Sequence, residues 1–369
     1  MKKLNFLRHL PGWRMIALPC VASLLFATAY AHITIISSTV PANGDVNPYG
    51  LVVVPATTGA LVEGNLLISN FNNAANLQGT GTTIVQITPG GAMSLFAQID
   101  AASLPGHCPG GVGLTTALVA LKSGWVIVGS LPTTDGTSDT AKAGCLIVLD
   151  SNGNVVETFS GPLINGPWDM TASDRGSSAS LFVTNVLNGT VAGGGKVVNK
   201  GTVLRINIST SGSMPTIQSA TVIGSKFSEK TDPAALVIGP TGVHLGASKE
   251  SDGSGLTLYV ADAVNNRIAA IPNALTRTSS AGIGSTVTSG GAINDPLGLT
   301  VVGRGNIVSM NGGNGFAVMT TPDGDQVGKV LLDNSGNPPG AGALFGVAPV
   351  SNGLYYVDDA TNTLNFFSF

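Results

Sequence analysis

Short apolar runs closed by Gly, Asn or Asp recur along almost the whole of this chain, and the three-to-four-residue spacing of an amphipathic helix is nearly absent. Six of these runs carry a Gly or Pro among their first residues: 48–53, 111–114, 167–170, 242–245, 296–299 and 345–347. A second run follows most openings and ends in Asn or Asp, clearest at 66–70, 181–185, 258–262 and 355–358 and weaker at 125–128 and 307–310. A third run then comes at 83–87, 146–149, 203–206, 268–271 and 316–319. Several end in turn pairs such as Gly90-Gly91, Asn152-Gly153 and Asp323-Gly324, where Gly accepts the positive φ that a tight hairpin needs.

Strands at this spacing, repeated six times with room for a fourth strand in each unit, predict an all-β chain and, most simply, a six-bladed β-propeller. The stretch His32–Ile36 is placed to pair with the last unit near residues 364–367 and close the ring. A β-helix or a pair of sandwiches is the competing arrangement. No Pro-rich or Ser-rich linker divides residues 32–369, so they are expected to form a single domain.

The first residues change the picture of where the protein works. Lys2, Lys3, Arg8 and Arg14 precede an apolar run from Met15 to Thr28 and then Ala29-Tyr30-Ala31, the layout of a signal peptide cleaved after Ala31. The expectation is a secreted or periplasmic protein with no membrane span after cleavage. Loss of the segment leaves 13 basic side chains against 20 acidic ones. A mildly acidic surface without a Lys or Arg run repels a phosphate backbone, which argues against nucleic acid as a partner. With 50 Gly but a 43% apolar share, the composition is that of a turn-rich globular protein. Cys108 and Cys145 remain after export; an oxidising compartment would allow them to pair, the other reading being two separate buried thiols.

One unit carries a recognisable phrase. Residues 258–268, Leu-Tyr-Val-Ala-Asp-Ala-Val-Asn-Asn-Arg-Ile, resemble the core of an NHL repeat, with looser copies at 354–362 and 181–189. The resemblance implies a propeller, and proteins of that type include binding modules, lyases and neighbours of the lactonases, so it does not choose an activity. The six-bladed calcium-dependent lactonases that this fold resembles hold their metal at the channel mouth through a Glu and several Asn or Asp residues. That resemblance implies Asn47, Glu63, Asn165, Asp169 and Asp295 as candidate calcium ligands here.

Other chemistry is sparse. Asn70, Asn185, Asp262, Asn311 and Asp358, at the ends of second strands, could gather oxygens for calcium, but turn capping repeated once per blade is the simpler role. His32, His107 and His244 are too far apart for a local zinc motif; His107 and His244 are candidates to line the channel. No Gly-x-Ser-x-Gly elbow is present. Residues 193–196 lack the spacing of a phosphate loop, and residues 150–154 mimic the start of a calcium loop but read as a hairpin turn. Trp168 either faces the channel mouth or is buried between blades. The long polar segments 130–143, 188–201 and 246–256 are candidates for a binding face. The primary expectation is an exported monomer that binds a protein, glycan or small molecule. The alternative is a metal-dependent hydrolase or lyase acting at the channel mouth.

Overall fold

A computed structural model describes residues 32–247 and 255–368; the proposed signal peptide lies outside the described residues. The chain forms six antiparallel sheets. The first blade is β2 (Val46–Val53), β3 (Leu66–Asn72), β4 (Thr83–Ile87) and β5 (Met93–Gln98), after β1 (His32–Ser38). The second is β6 (Leu114–Ala120), β7 (Val126–Ser130), β8 (Cys145–Leu149) and β9 (Val155–Phe159). The third has β10 (Pro167–Asp174), β11 (Ser178–Asn185), β12 (Val198–Ser209), β13 (Thr216–Asp232) and an additional β14 (Leu236–Ile238). The fourth is β15 (Pro240–Ala247), β16 (Leu256–Asp262), β17 (Arg267–Ile271) and β18 (Ser285–Ser289). The fifth is β19 (Pro296–Val302), β20 (Asn306–Asn311), β21 (Phe316–Thr320) and β22 (Gln326–Leu331). The sixth contains β23 (Leu344–Val350), β24 (Gly353–Asp358) and β25 (Thr363–Ser368), and takes β1 as its fourth strand.

Each of the six apolar openings thus forms or leads into the innermost strand of a blade. These strands pack on one another in order, and β23 meets β2 to complete the circle. Closure is by the N-terminal strand, with His32 opposite Ser368, Ile33 opposite Phe367 and Thr34 opposite Phe366. Between successive sheets lie separate apolar cores. Leu67, Ile84 and Ile147 fill one; Leu146, Leu181 and Ile206 fill the next; Phe182, Phe227 and Val260 fill another. Strands in the middle of a blade, such as β3, β4, β7 and β8, are therefore buried on both faces, which explains runs that are apolar throughout.

The Asn and Asp residues at the ends of second strands are buried caps. Asn185 Oδ1 accepts from the N–H groups of Asn165 and Gly166, Asn311 Oδ1 from that of Asn294, and Asp358 Oδ1 from that of Thr361. In the NHL-like phrase, Asp262 is paired with Arg267 Nε at 2.7 Å and accepts from Asn265 Nδ2. The guanidinium also donates to Ile283 O and Thr286 Oγ1 and lies over the Phe227 ring. The phrase is a packing device of the fourth blade. Cys108 and Cys145 form a disulfide with Cα atoms 5.3 Å apart, tying the segment before β6 to the start of β8.

Candidate functional site

The inner strands begin at one end of the channel, here the upper end, and finish at the lower. Near their starts they approach so closely that side chains are excluded. A Cβ at Gly298 would lie 1.9 Å from Phe345 O, and one at Gly346 would lie 2.3 Å from Tyr49 O. In the third blade this position holds Asp169, followed by Met170 opposite Val183 just as Gly50 is followed by Leu51 opposite Ile68. Asp169 fits because its carboxylate meets the neighbouring blade instead of clashing with it: Oδ2 accepts from Val243 N at 2.8 Å, and its own N–H donates to Thr184 Oγ1. Thr184 donates onward to Thr241 O, so a hydroxyl and a carboxylate bridge the third and fourth blades.

Below this point the channel widens into a cavity of about 290 Å³. Leu51, Leu118, Met170, Val243, Leu299 and Val347 give it apolar walls, one from each blade. Its ionisable groups are Asp169, His244, and, at the lower rim, Asp174 and Lys122. Burial pushes the Asp169 carboxyl up to about 7 against the opposing pull of the Val243 and Met170 N–H groups. The influences on it include no cationic side chain. Burial lowers the pKa of His244, which favours its neutral imidazole. Its Nδ1 lies 2.8 Å from Leu245 O, an oxygen that can only accept. Nδ1 therefore carries the proton, and Nε2 is an acceptor. Thr116, which also lines the cavity and is 4% exposed, has a hydroxyl with no partner.

The upper end is closed. The extra strand of the third blade turns back at Pro233 and lays Ala235, Leu236, Val237 and Ile238 over the channel axis, all buried. They rest on an aromatic floor in which Tyr49 stacks on Phe345 at 3.8 Å and on Phe71 at 4.5 Å, with Trp168 6.1 Å from Phe345. Trp168 Nε1 donates to Val237 O and Gln78 Nε2 to Pro233 O, pinning the plug at two places. Leu236 adopts φ +63°, a left-handed conformation unusual for a bulky side chain. Trp168 therefore sits at the channel mouth and is buried, 3% exposed, beneath the plug. Above the plug lies a polar vestibule lined by Asn47, Asn72, Asn76, Gln78, Asp359 and Asn362.

The five candidate calcium ligands are distributed over both ends. Asn47 lines the upper vestibule, and its N–H donates to Asn362 Oδ1. Asn165 precedes β10 on the same side, its amide held by Asn188. Asp295, just before β19, is pushed up to about 7 by burial and by Asp232 of the plug hairpin, with Lys230 opposing. Its Oδ1 and Asn165 Oδ1 are buried acceptors without donors. Asp169 faces the lower cavity, whereas Glu63 is exposed in the turn between β2 and β3, at the opposite end of its blade from Asn47. The five are not one oxygen shell, and calcium needs about six to eight oxygens together. Among the described residues no three His, Cys, Asp or Glu side chains are grouped to hold a metal.

His107 is exposed in the segment before β6 and does not line the lower cavity; His244 does. The turn reading of residues 150–154 agrees with Asp150 Oδ1 accepting from the N–H groups of Asn152 and Asn154. Of the long segments, 130–143 and 188–201 both join strands at the upper end, while most of 246–256 lies outside the described residues. Sequence reasoning missed the plug. Its trace was the apolar run Ala234-Ala235-Leu236-Val237-Ile238, which precedes the fourth opening and belongs to none of the repeating strands.

No protein-family profile matches this sequence, and no curated protein does. Solved structures match over nearly its whole length. A gluconolactonase from Xanthomonas campestris is 12% identical with TM-score 0.52, over 92% of this chain and 89% of that one. The calcium-binding protein regucalcin from Agrobacterium tumefaciens is 12% identical with TM-score 0.53, over 90% and 93%. A luciferin-regenerating enzyme is 11% identical with TM-score 0.55, over 92% and 95%. At such identity the likeness is one of fold. This chain is a six-bladed β-propeller of the architecture found in those proteins.

Proposed function

We propose that this is an exported propeller that binds a small molecule in the lower half of its central channel. One observation carries the reading: the cavity is walled by apolar side chains from all six blades and holds a few convergent polar groups, Asp169, His244 and Thr116. That combination is the usual make-up of a small-ligand site. The plug supports the choice of end, because it covers the upper mouth with its own apolar residues and leaves the lower cavity as the accessible part of the channel. Thr171 lies two residues beyond Asp169 on β10 and also lines the cavity. Thr171→Phe should therefore fill part of it. The test is a thermal-shift screen of small cyclic alcohols, amines, amides and lactones against both proteins. Hits that raise the melting temperature of the wild type and lose their effect with Thr171→Phe support the channel site; hits insensitive to that substitution place the ligand elsewhere.

A second reading, a calcium-dependent hydrolase or lyase, is favoured by the fold shared with the gluconolactonase and regucalcin. It is also consistent with a carboxyl near neutrality and a neutral imidazole lining one cavity. The two readings separate on addition of calcium and of EDTA. An unchanged melting temperature and no proton release from added lactones favour the binding protein. Stabilisation by calcium together with lactone turnover transfers the assignment to the hydrolase.

A further inference from the structure

Every polar group deep in the lower cavity can accept a hydrogen bond, and none is positively charged. Asp169 presents a carboxyl and His244 an imidazole whose Nδ1–H is committed to Leu245 O, leaving Nε2 as acceptor. The Thr116 hydroxyl has no partner. The one cationic side chain on the lining is Lys122, an exposed residue at the rim whose backbone N–H donates to Asp174 Oδ2. The walls between are Leu, Val, Met, Ala and Pro with no aromatic face. An ionised carboxylate enclosed in such walls lacks the counter-charge that a buried charge requires. A ligand that supplies this charge gains a charge-assisted hydrogen bond, whereas an anionic ligand meets like charge and two acceptors.

We propose that the lower channel is a site for a small aliphatic amine in its ammonium form, with Asp169 as its counter-ion, His244 Nε2 as a second acceptor and the six inner strands enclosing its hydrocarbon part. This rests on the channel reading above and narrows it to a chemical class. A cavity of about 290 Å³ is at the small end of ligand sites, which fits a single ring or a short branched chain.

The site makes binding depend on pH. The ammonium needs the carboxylate form of Asp169, whose pKa without ligand is about 7, so affinity rises from pH 6 to pH 8. Burial favours the neutral form of His244, and Asp174 and Lys122 at the rim complete the ionisable groups of the lining.

Three probes of one shape test the proposal by calorimetry on the purified protein: cyclohexylammonium, cyclohexanol and cyclohexanecarboxylate. At pH 8 the ammonium is expected to bind about tenfold more tightly than the alcohol, and the carboxylate more weakly than either. Affinity for the ammonium should fall by about tenfold on going to pH 6, while that for the alcohol stays level. Asp169→Asn should bring the ammonium down to the affinity of the alcohol. The wild-type pH profile tests the same claim if that variant does not fold. Equal or tighter binding of the alcohol or the carboxylate overturns the amine assignment but leaves a channel site standing, as does ammonium binding that ignores pH or Asp169→Asn. Silence from all three probes overturns the amine assignment, and failure of the thermal-shift screen is what removes the channel site itself.

Discussion

Carboxyl groups whose pKa is raised chiefly by burial set the acid–base behaviour of this protein. Glu229 is 0% exposed and is pushed up to about 7, chiefly by burial, with one oxygen accepting from Asn188 N. Asp169 and Asp295 are also raised to about 7 by burial, and Asp359 to about 8 by burial and by Asp358 and Asp333. In the unfolded chain such groups titrate near 4, so the folded state holds their protons more tightly between about pH 4 and pH 8. Stability must then fall as pH rises through that window, because the folded state has to release protons that the unfolded state has already lost. The melting temperature is expected to be higher at pH 5 than at pH 8, and Glu229→Gln should raise it at pH 8 and flatten its pH dependence. A melting temperature that climbs from pH 5 to pH 8 would refute the assignment of these groups as strained by burial. Glu229 illustrates why such residues were not legible in the sequence: nothing around it marks it as buried, since its environment comes from Asn188 and Thr190 on the β11–β12 connection.

Among the elements, the β13–β14 hairpin does most to distinguish this propeller. It belongs to no repeat, and its tip replaces solvent over the aromatic floor of Tyr49, Phe71, Trp168 and Phe345. Burying Leu236 and Val237 contributes on the order of 4 kcal/mol, offset in part by the left-handed φ of Leu236. Replacing residues 234–237 by two glycines should therefore lower stability by a few kcal/mol. It should also shift Trp168 emission to longer wavelength and open the channel from above, which fluorescence and urea unfolding would show. An unshifted spectrum would mean that the hairpin does not shield Trp168. The sequence offered the run of five apolar residues but no destination for it. Its place over the channel depends on contacts with residues from blades one, three and six, which are remote along the chain.

At the scale of the whole molecule, ring closure rests on β1, whose pairing with β25 covers an otherwise open edge of the sixth sheet. Deletion of residues 32–38 would expose that edge, a template for pairing with other chains. The expected result is a lower melting temperature and oligomers in light scattering, against a more stable and less associated full-length protein. The six inner openings and the turn role of Asn185, Asn311 and Asp358 were readable from the sequence because each depends on a pattern repeated locally, and the closure was readable because the sixth unit lacked a strand that His32–Ile36 could supply. The disulfide remained one of two readings until Cys108 and Cys145 were brought together. Which polar residues share a site was decided only by the tertiary structure. Radial packing sends Glu63 and Asn47 to opposite ends of one blade and brings Asp169 and His244 to one cavity from different blades. Local pattern determines a strand and its neighbour in the sheet; the direction a side chain takes around a closed ring depends on the register and stagger of all six blades at once.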